Sequence, residues 1–556
     1  MPPLVTFFAE KSGARRAPRG FVAASLVIAA LITTSFVAVL EDSKRLTPAT
    51  DHHSGLFQGD MPTYLCYARA THAGPLGLSY ASPHDIREAP PPLLVNLPIS
   101  MFGYLLALDV PPAWVAQGTR WVFGTAMLLL LALYLRTIFG TRLWWLVAFT
   151  AIGAGGGLAS LEAALDAHDP VTWDGVRRAL PGLEKEYAWW FLDVFRNLTY
   201  PLECVYHVIA FGLMLALARQ RWRAAGILHA LACLSNPFLG IQLSALHLGV
   251  LGVAWLTQRG GGRRALLVPL VVALAVTAAF VLLYSVIQPL DPALRSLQEQ
   301  HAATLAESLS LAGLARGYGP ALLALPLLAL DRRFRSFVVR DAPLRVALVL
   351  TLVSLALVEH GHLPIDARLM PLHFTRGYLQ VGFWALTFGW MLFRSRRHRL
   401  LVVPFALGGV VFALATLPDN VAYVQARHEE LPQRPHLVWG PATQEVLAYL
   451  AGLDEPKRVL AVGEALGRNV CAQTHHRSAF GTALTTPFHF ERREQMETLR
   501  ARPREEPPII AWAEILVLGA RDPAGPWLES SGPWDRALLN GEWRVLRRRV
   551  APTPSR

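Results

Sequence analysis

The residues best suited to chemistry lie in Gly59–Arg69, which reads GDMPTYLCYAR. Pro62 fits the first turn of a helix, because that turn does not need the backbone N–H that proline lacks. A helix starting there places Asp60 at its N-terminal end, where the helix dipole favours an ionised carboxylate. Tyr64 follows one turn later on the same face, and Arg69 after slightly more than another turn. The pattern predicts a carboxylate base with polar substrate contacts; the alternative is a simple N-cap.

Several cationic side chains are candidates for holding a phosphate group. Besides Arg69, they are Arg196 in WWFLDVFRNLTYP, and His373 and Arg376 in MPLHFTRGY. Guanidinium groups bind phosphate through charge-assisted, often paired hydrogen bonds. Arg376 and Arg120 each open an apolar run, so the alternative for both is a side chain that snorkels to the membrane surface.

Two histidine-containing segments are weak candidates for a metal site. One is Asp51-His52-His53, and the other is EHGHLPIDAR, which contains His360 and His362. Adjacent histidines without spaced partners are typical of a solvated loop. We therefore predict no required cofactor, and a divalent ion stays an open alternative.

The four cysteines of the chain show no CxxC pair, so they indicate neither a zinc knuckle nor a redox motif. Cys233 fits a membrane helix as a small apolar residue. Cys66 and Cys471 are candidates to meet outside the membrane.

Membrane-spanning helices must position these residues. The chain has 556 residues, 53% of them hydrophobic and only 17% charged. Runs such as Gly20–Leu40 and Ala265–Ile287 have the length of about 20 residues that crosses a bilayer. The pI of 9.9 reflects arginines in short clusters between apolar runs. That distribution is typical of membrane topology and argues against nucleic-acid binding.

The basic clusters predict the direction of insertion. Positive charges at 11–19 precede the first apolar run and place the N-terminus in the cytoplasm, with an uncleaved anchor. The eleven predicted spans are residues 20–40, 115–137, 143–161, 201–218, 223–238, 240–257, 265–287, 309–330, 342–358, 377–393 and 400–417. All short Arg-rich connections then fall on the cytoplasmic side, and the C-terminus lies outside. Residues 223–257 are either two spans or one helix broken at Asn236-Pro237.

The predicted fold class is a mostly α, polytopic helix bundle with a small extracytoplasmic α/β domain. Residues 1–19 form a cytoplasmic basic terminus, and residues 20–417 form the transmembrane domain. The outer loops are 41–114, 162–200, 288–308 and 359–376. Residues 418–556 alternate helix-like TQEVLAYLAGL and strand-like RVLAVG patterns, which are typical of a soluble domain.

The pattern D-x3-Y-x4-R formed by Asp60, Tyr64 and Arg69 resembles the first outer loop of GT-C-type membrane glycosyltransferases. The likeness is to the protein mannosyltransferase and aminoarabinose transferase branch, and it covers roughly residues 20–140. A proline-rich stretch at Glu88–Leu94 and a span opening at Arg120 look like that branch too. Met61 and Ala89 depart from it, and these departures leave the donor sugar open.

The resemblance implies a bacterial inner-membrane transferase that is active on the extracytoplasmic face. Its donor would be a sugar on polyprenyl phosphate, and its acceptor a lipid, a glycan or a protein. Asp60 would be the base, while Tyr64, Arg69, Arg120, Arg196, His373 and Arg376 would bind substrate. Two alternatives stay open: a transporter or flippase of a lipid-linked substrate, and a non-catalytic assembly partner with a GT-C-like scaffold.

Overall fold

The structure is a computed structural model. It describes residues 18–71, 77–140, 144–154, 194–258, 261–304, 314, 317–360, 371–395, 398, 400, 403–405, 407–411, 421, 423–425, 428–429, 434, 436–502 and 507–549. Over these residues the chain is mostly helical, with short strands at both ends.

The helices are α1 (Arg19–Asp42), α2 (Met61–Ala70), α3 (Leu97–Ala107), α4 (Pro112–Phe139), α5 (Trp144–Ala154), α6 (Pro201–Ala218), α7 (Trp222–Cys233), α8 (Pro237–Thr257), α9 (Gly261–Ala265), α10 (Leu267–Val281), α11 (Pro292–Thr304), α12 (Ala324–Leu330), α13 (Arg332–Arg340), α14 (Ala342–Val358), α15 (Tyr378–Ser395), α16 (Pro441–Ala451), α17 (Glu464–Gln473), α18 (His489–Ala501), α19 (Pro508–Trp512) and α20 (Ala524–Ser531). The strands are β1 (His52–His53), β2 (Ser79–Tyr80), β3 (Leu94–Val95), β4 (Val438–Trp439), β5 (Arg458–Ala461), β6 (Arg477–Ser478), β7 (Ile515–Gly519), β8 (Trp534–Leu539) and β9 (Trp543–Arg548).

Helices long and apolar enough to cross a membrane confirm a multi-pass membrane protein. Among the described residues there are five, or six if the bent pair α13–α14 forms one span. In α10 the apolar side chains point outward, with Val268 72% exposed and Val271 62% exposed. A helix with such a surface needs lipid around it. The count of eleven spans stays a prediction, because parts of 143–161, 309–330 and 400–417 lie outside the described residues.

The segment 223–257 forms two separate helices, α7 and α8. The Asn236 side chain accepts hydrogen bonds from the backbone N–H groups of Phe238 and Leu239, which caps α8, and Pro237 occupies its first turn. Both features fix a helix start at this point.

Contacts within one compact unit, residues 1–37, 119–280 and 307–426, bring together the helix ends predicted to face the cytoplasm. Near the end of α4, the Tyr134 hydroxyl donates to the Pro343 carbonyl at the start of α14 (3.0 Å). At the end of α15, Arg394 forms an ion pair of 2.8 Å with Asp331. The contacts join helix ends that the prediction places on the same side of the bilayer. That this side is the cytoplasmic one stays a prediction.

A second compact unit combines residues 38–118, 281–306 and 427–556. Its five-stranded sheet has the order β6-β5-β7-β9-β8, with β6, β5 and β7 parallel and β9 and β8 antiparallel. Alternate residues enter opposite cores: Leu460 and Leu516 pack on one face, and Val459 and Val517 on the other. This alternation follows from the two-residue period of a strand.

Two elements predicted for the C-terminal region are confirmed. The helix-like pattern at 443–453 corresponds to α16, and the strand-like pattern at 458–463 corresponds to β5. Strand β8 was not predicted, because WDRALL is a sheet-edge strand with mostly exposed residues and no clean alternation.

The close approach of α2 and α3 depends on Gly103. A Cβ atom at this position would lie 2.5 Å from the Ala68 carbonyl oxygen and would also meet the Thr71 hydroxyl. We expect Gly103→Ala to destabilise this unit by about 1–3 kcal/mol through overpacking. Gly118→Ala is the matched control, because a Cβ there meets nothing within 4 Å. Thermal unfolding in detergent compares the two, and equal midpoints would contradict the prediction.

Candidate active site

The predicted site residues are divided between the two compact units. Asp60, Tyr64 and Arg69 belong to the unit that contains the sheet, and Arg120 and Arg196 belong to the unit that contains the spans. His373 and Arg376 lie in the latter unit as well.

Asp60 immediately precedes α2, but its side chain does not cap the helix. Its backbone is helical (φ −88°, ψ −11°), whereas a capping residue has an extended backbone that lets its side chain fold back onto the free N–H groups. The Gln58 amide donates to Asp60 Oδ2 over a long distance of 3.4 Å. The N-cap alternative is therefore wrong for this carboxylate.

The C-terminal region supplies cationic and imidazole groups beside Asp60. The Arg468 guanidinium donates to the Gly59 carbonyl (3.4 Å), and both Arg468 and Arg434 act electrostatically on the Asp60 carboxylate. His436 lies so close that a Cβ on Gly59 would be 2.9 Å from its Nε2 atom. Burial, followed by the charges of Arg468 and Arg434, lowers the pKa of His436 to about 4, so the ring is neutral at pH 7.

These C-terminal groups were missed from the sequence. Arg468 lies on α17 and His436 shortly before β4, and both are roughly 400 residues away from Asp60 in the sequence. No local motif connects such distant positions. The pairing of His52 with Trp439 and of His53 with Val438 brings the two segments together.

The Asp60 side chain is exposed to solvent although protein atoms surround it densely, so it lines a recess. Desolvation raises the pKa of Asp60 above its ordinary value of 3.8, against smaller lowering effects of Arg468, Gln58 and Arg434. A carboxylate in a recess, flanked by cations and beside a neutral imidazole, is suited to accepting a proton.

This environment predicts a pH dependence. If ionised Asp60 is the base, transfer activity falls as the pH falls through its raised pKa, so the acid limb lies above pH 3.8. Arg468→Gln removes a charge that favours the ionised form and is expected to move that limb to higher pH. The exposed Arg493, which forms an ion pair of 3.1 Å with Glu497 on its own helix, provides the control Arg493→Gln. A pH profile of kcat/KM measures both variants, and unshifted limbs in both would contradict the assignment.

Tyr64 and Arg69 are positioned by the same helix. Tyr64 is half-buried, and its backbone N–H donates to the Asp60 carbonyl (3.0 Å). The Arg69 Nε atom donates to the Ala472 carbonyl at the end of α17 (3.1 Å). Arg69 thus holds α2 against α17, and its predicted contact with substrate stays a prediction.

Arg120 lies inside the protein instead of snorkelling to a surface. Its side chain is completely buried, and its guanidinium donates to the carbonyls of Leu198 (2.8 Å) and Thr199 (3.0 Å). These carbonyls belong to the short 3-10 helix Phe195–Thr199, which carries Arg196. Arg120 therefore positions that segment.

Arg196 and Asn197 belong to this buried segment, and Asn197 connects it to Arg376. Arg196 is 1% exposed, and its guanidinium carbon is 5.0 Å from the ring centroid of Tyr423. The neighbouring Asn197 side chain donates to the Arg376 carbonyl (3.4 Å). This hydrogen bond links the segment that carries Arg196 to the backbone of Arg376.

Arg376 forms the centre of a buried polar cluster. Its Nη1 atom is 3.3 Å from Glu203 Oε1, and the His207 ring hydrogen-bonds the Arg376 carbonyl (2.7 Å). His373 hydrogen-bonds the Arg376 guanidinium and stacks on Phe238, with centroids 4.3 Å apart. The snorkelling alternative is therefore wrong for Arg376, which is only 1% exposed.

The backbone of Arg376 has φ +28°, in the left-handed region that side chains other than glycine seldom adopt. The following residue, Gly377, has φ +75°, and the Arg376 carbonyl is held by two side chains. A strained residue held in this way is common at ligand-binding positions.

The described residues contain no group of three or more metal-ligating side chains. Asp51 precedes the two-residue strand β1, in which His52 is exposed to solvent, as predicted, and stacks on Trp439 (5.3 Å between centroids). His360 hydrogen-bonds the Leu357 carbonyl (2.8 Å). His362 lies outside the described residues.

The chain is similar to two solved structures of transferases. Aminoarabinose transferase ArnT from Cupriavidus metallidurans, bound to undecaprenyl phosphate, is 15% identical with a TM-score of 0.44, over 95% of this chain and 98% of that one. An Archaeoglobus fulgidus oligosaccharyltransferase with a tethered acceptor peptide is 12% identical with a TM-score of 0.45, over 90% and 69%.

Both neighbours are glycosyltransferases of the GT-C type. No protein-family model matches the chain, and no curated protein matches it significantly. The sequence identities and the TM-scores of both structures are low, so the proposed function rests on the residues of the site.

Proposed function

We propose that the protein is a GT-C-like glycosyltransferase that moves a sugar from a polyprenyl-phosphate donor to an acceptor at the outer face of the cytoplasmic membrane. The observation that carries this proposal is the Asp60 carboxylate. It begins a helix without capping it, lines a recess and faces Arg468 and Arg434. A carboxylate that is not used in capping is available for an acceptor proton.

In this reaction the acceptor hydroxyl attacks the anomeric carbon of the sugar while the bond to the lipid phosphate breaks. Asp60 takes the hydroxyl proton or orients it, which is the role of a general base. The leaving group is a phosphate, so it needs positive charge more than a proton donor. Arg196, His373 and Arg376 are the proposed phosphate ligands, supported by their buried cluster and by the backbone strain at Arg376.

The acceptor class and the donor sugar stay open. Met61, the residue after Asp60, is buried and offers no second acid beside the proposed base. The C-terminal region contributes Arg434, His436 and Arg468 around Asp60, which supports a role for it beyond covering the site.

A transporter or flippase is the second candidate, and one observation favours it. His229 and His247 are buried inside α7 and α8, with their Nδ1 atoms 3.2 Å apart, and His229 hydrogen-bonds the Ser244 hydroxyl (2.7 Å). Polar groups buried between membrane helices are typical of transport pathways.

Purified protein in liposomes separates the two candidates. With a panel of polyprenyl-phosphate sugars and a mixed lipid, glycan and peptide acceptor pool, the transferase proposal expects release of polyprenyl phosphate and a glycosylated product. Movement of the labelled donor across the bilayer without product would support the transporter. Neither transfer nor movement would support the non-catalytic assembly partner.

A further inference from the structure

Two cysteines that are far apart in the sequence meet in the unit that contains Asp60. Cys66 lies on α2 and Cys471 on α17, and both are buried, at 0% and 4% exposure. The Cys66 thiol donates to the Arg468 carbonyl (3.3 Å), three residues before Cys471. One turn further along α2, Arg69 donates to the Ala472 carbonyl, directly after Cys471. These two bonds hold Cys66 opposite Cys471, and the thiols hydrogen-bond each other.

We propose that Cys66 and Cys471 are a disulfide-forming pair, which links the helix that follows Asp60 to the C-terminal domain. The link would join the base-bearing segment to the element that carries Arg468. The proposed disulfide does not depend on which reaction the site performs. It depends on this unit being outside the cytoplasm, where disulfides form and persist.

The two sulfurs have different electrostatic surroundings. The hydrogen bond from Cys66, the N–H of Ser478 and the charges of Arg69 and Arg477 lower the pKa of Cys471. Burial raises the pKa of Cys66. Cys471 is therefore the sulfur that ionises first, and thiolates are the nucleophiles of disulfide exchange.

The oxidant is a protein disulfide, and the exchange balances in two steps. The thiolate of one of the two cysteines attacks one sulfur of the oxidant, which forms a mixed disulfide and releases one oxidant thiolate. The other cysteine then loses its proton and attacks the sulfur of the first cysteine, releasing the second oxidant thiolate. The pair loses two protons and two electrons, and the oxidant becomes a dithiol. Because both sulfurs are buried in the folded unit, this exchange occurs during folding.

Counting thiols in acid-quenched cells tests the proposal. Free thiols are blocked with N-ethylmaleimide in denaturant, the sample is reduced, and new thiols are labelled with a polyethylene-glycol maleimide. We expect two labels on the wild-type chain and none on Cys66→Ser or on Cys471→Ser. The double variant Cys204→Ser with Cys233→Ser is the control and keeps two labels.

A wild-type chain that takes up no label after reduction overturns the proposal, and this result does not depend on any variant folding. Peptide mass spectrometry of the unreduced protein identifies the linked segments, and a linkage between any other pair of cysteines also overturns it. Dithiothreitol is expected to lower the unfolding midpoint of the wild type and to leave that of Cys66→Ser with Cys471→Ser unchanged. Loss of sugar transfer with the disulfide intact would refute the proposed function alone.

Discussion

Asp60→Asn is expected to lower the rate of sugar transfer by about 10²–10⁴-fold, the usual contribution of a general base. Asparagine has the same shape as aspartate, but it cannot accept the acceptor proton. Folding should be unaffected, because the Asp60 side chain does not cap α2 and its hydrogen bond from Gln58 is long. The measurement is single-turnover transfer in liposomes with the donor that the panel identifies.

Two further variants make this result specific. Asp60→Glu keeps the carboxylate and moves it by one methylene, so part of the activity should return. Asp454→Asn removes an exposed carboxylate elsewhere in the same unit and should leave transfer unchanged. If Asp60→Asn transfers sugar at the wild-type rate with an unchanged unfolding midpoint, Asp60 is not the base.

Arg376→Gln is expected to destabilise the span-containing unit by about 3–5 kcal/mol, because it leaves the buried Glu203 carboxylate without its cation. Glu203 is only 7% exposed, and its Oε1 atom lies 3.3 Å from Arg376. Adding Glu203→Gln to Arg376→Gln removes the unpaired charge and should restore much of the stability. Unfolding in nanodiscs gives this double-mutant cycle.

The same cycle separates support of the fold from binding of the donor. If Arg376 binds the lipid phosphate, the double variant regains stability but still binds undecaprenyl phosphate at least tenfold more weakly than the wild type. A double variant with both wild-type stability and wild-type binding would remove Arg376 from the phosphate site. Additive destabilisation by the two changes would show that the ion pair is unimportant for the fold.

The sequence predicts those parts of the fold that local rules determine. Pro62 and Asn236 signal helix starts through their own backbone chemistry, and α2 and α8 begin where these residues indicate. Apolar length identifies spans such as α1 and α4. The strand-like pattern at β5 is a short, continuous apolar run because both faces of the strand are buried, Leu460 in one core and Val459 in the other.

The surroundings of the candidate base required the three-dimensional structure. Asp60 and Tyr64 lie within one helical turn and were recognisable together, whereas Arg468 reaches Gly59 only through the packing of α2 against α17. The sequence also suggested a surface position for Arg120. Its buried guanidinium is stabilised by hydrogen bonds to two backbone carbonyls in a segment almost 80 residues away. No local sequence pattern reveals such distant partners.

The sheet-containing unit is built from three separate segments of the chain, and this restricts how the chain can pass through the bilayer. Residues 38–118, 281–306 and 427–556 fold into one compact body, so all three must be on the same side of the membrane. The chain must then cross an even number of times between 118 and 281, and again between 306 and 427. The predicted six and four crossings satisfy this parity. A single crossing at 223–257 would make the first number five, so with the other predicted spans the parity favours two crossings for this segment, as in the prediction of eleven spans.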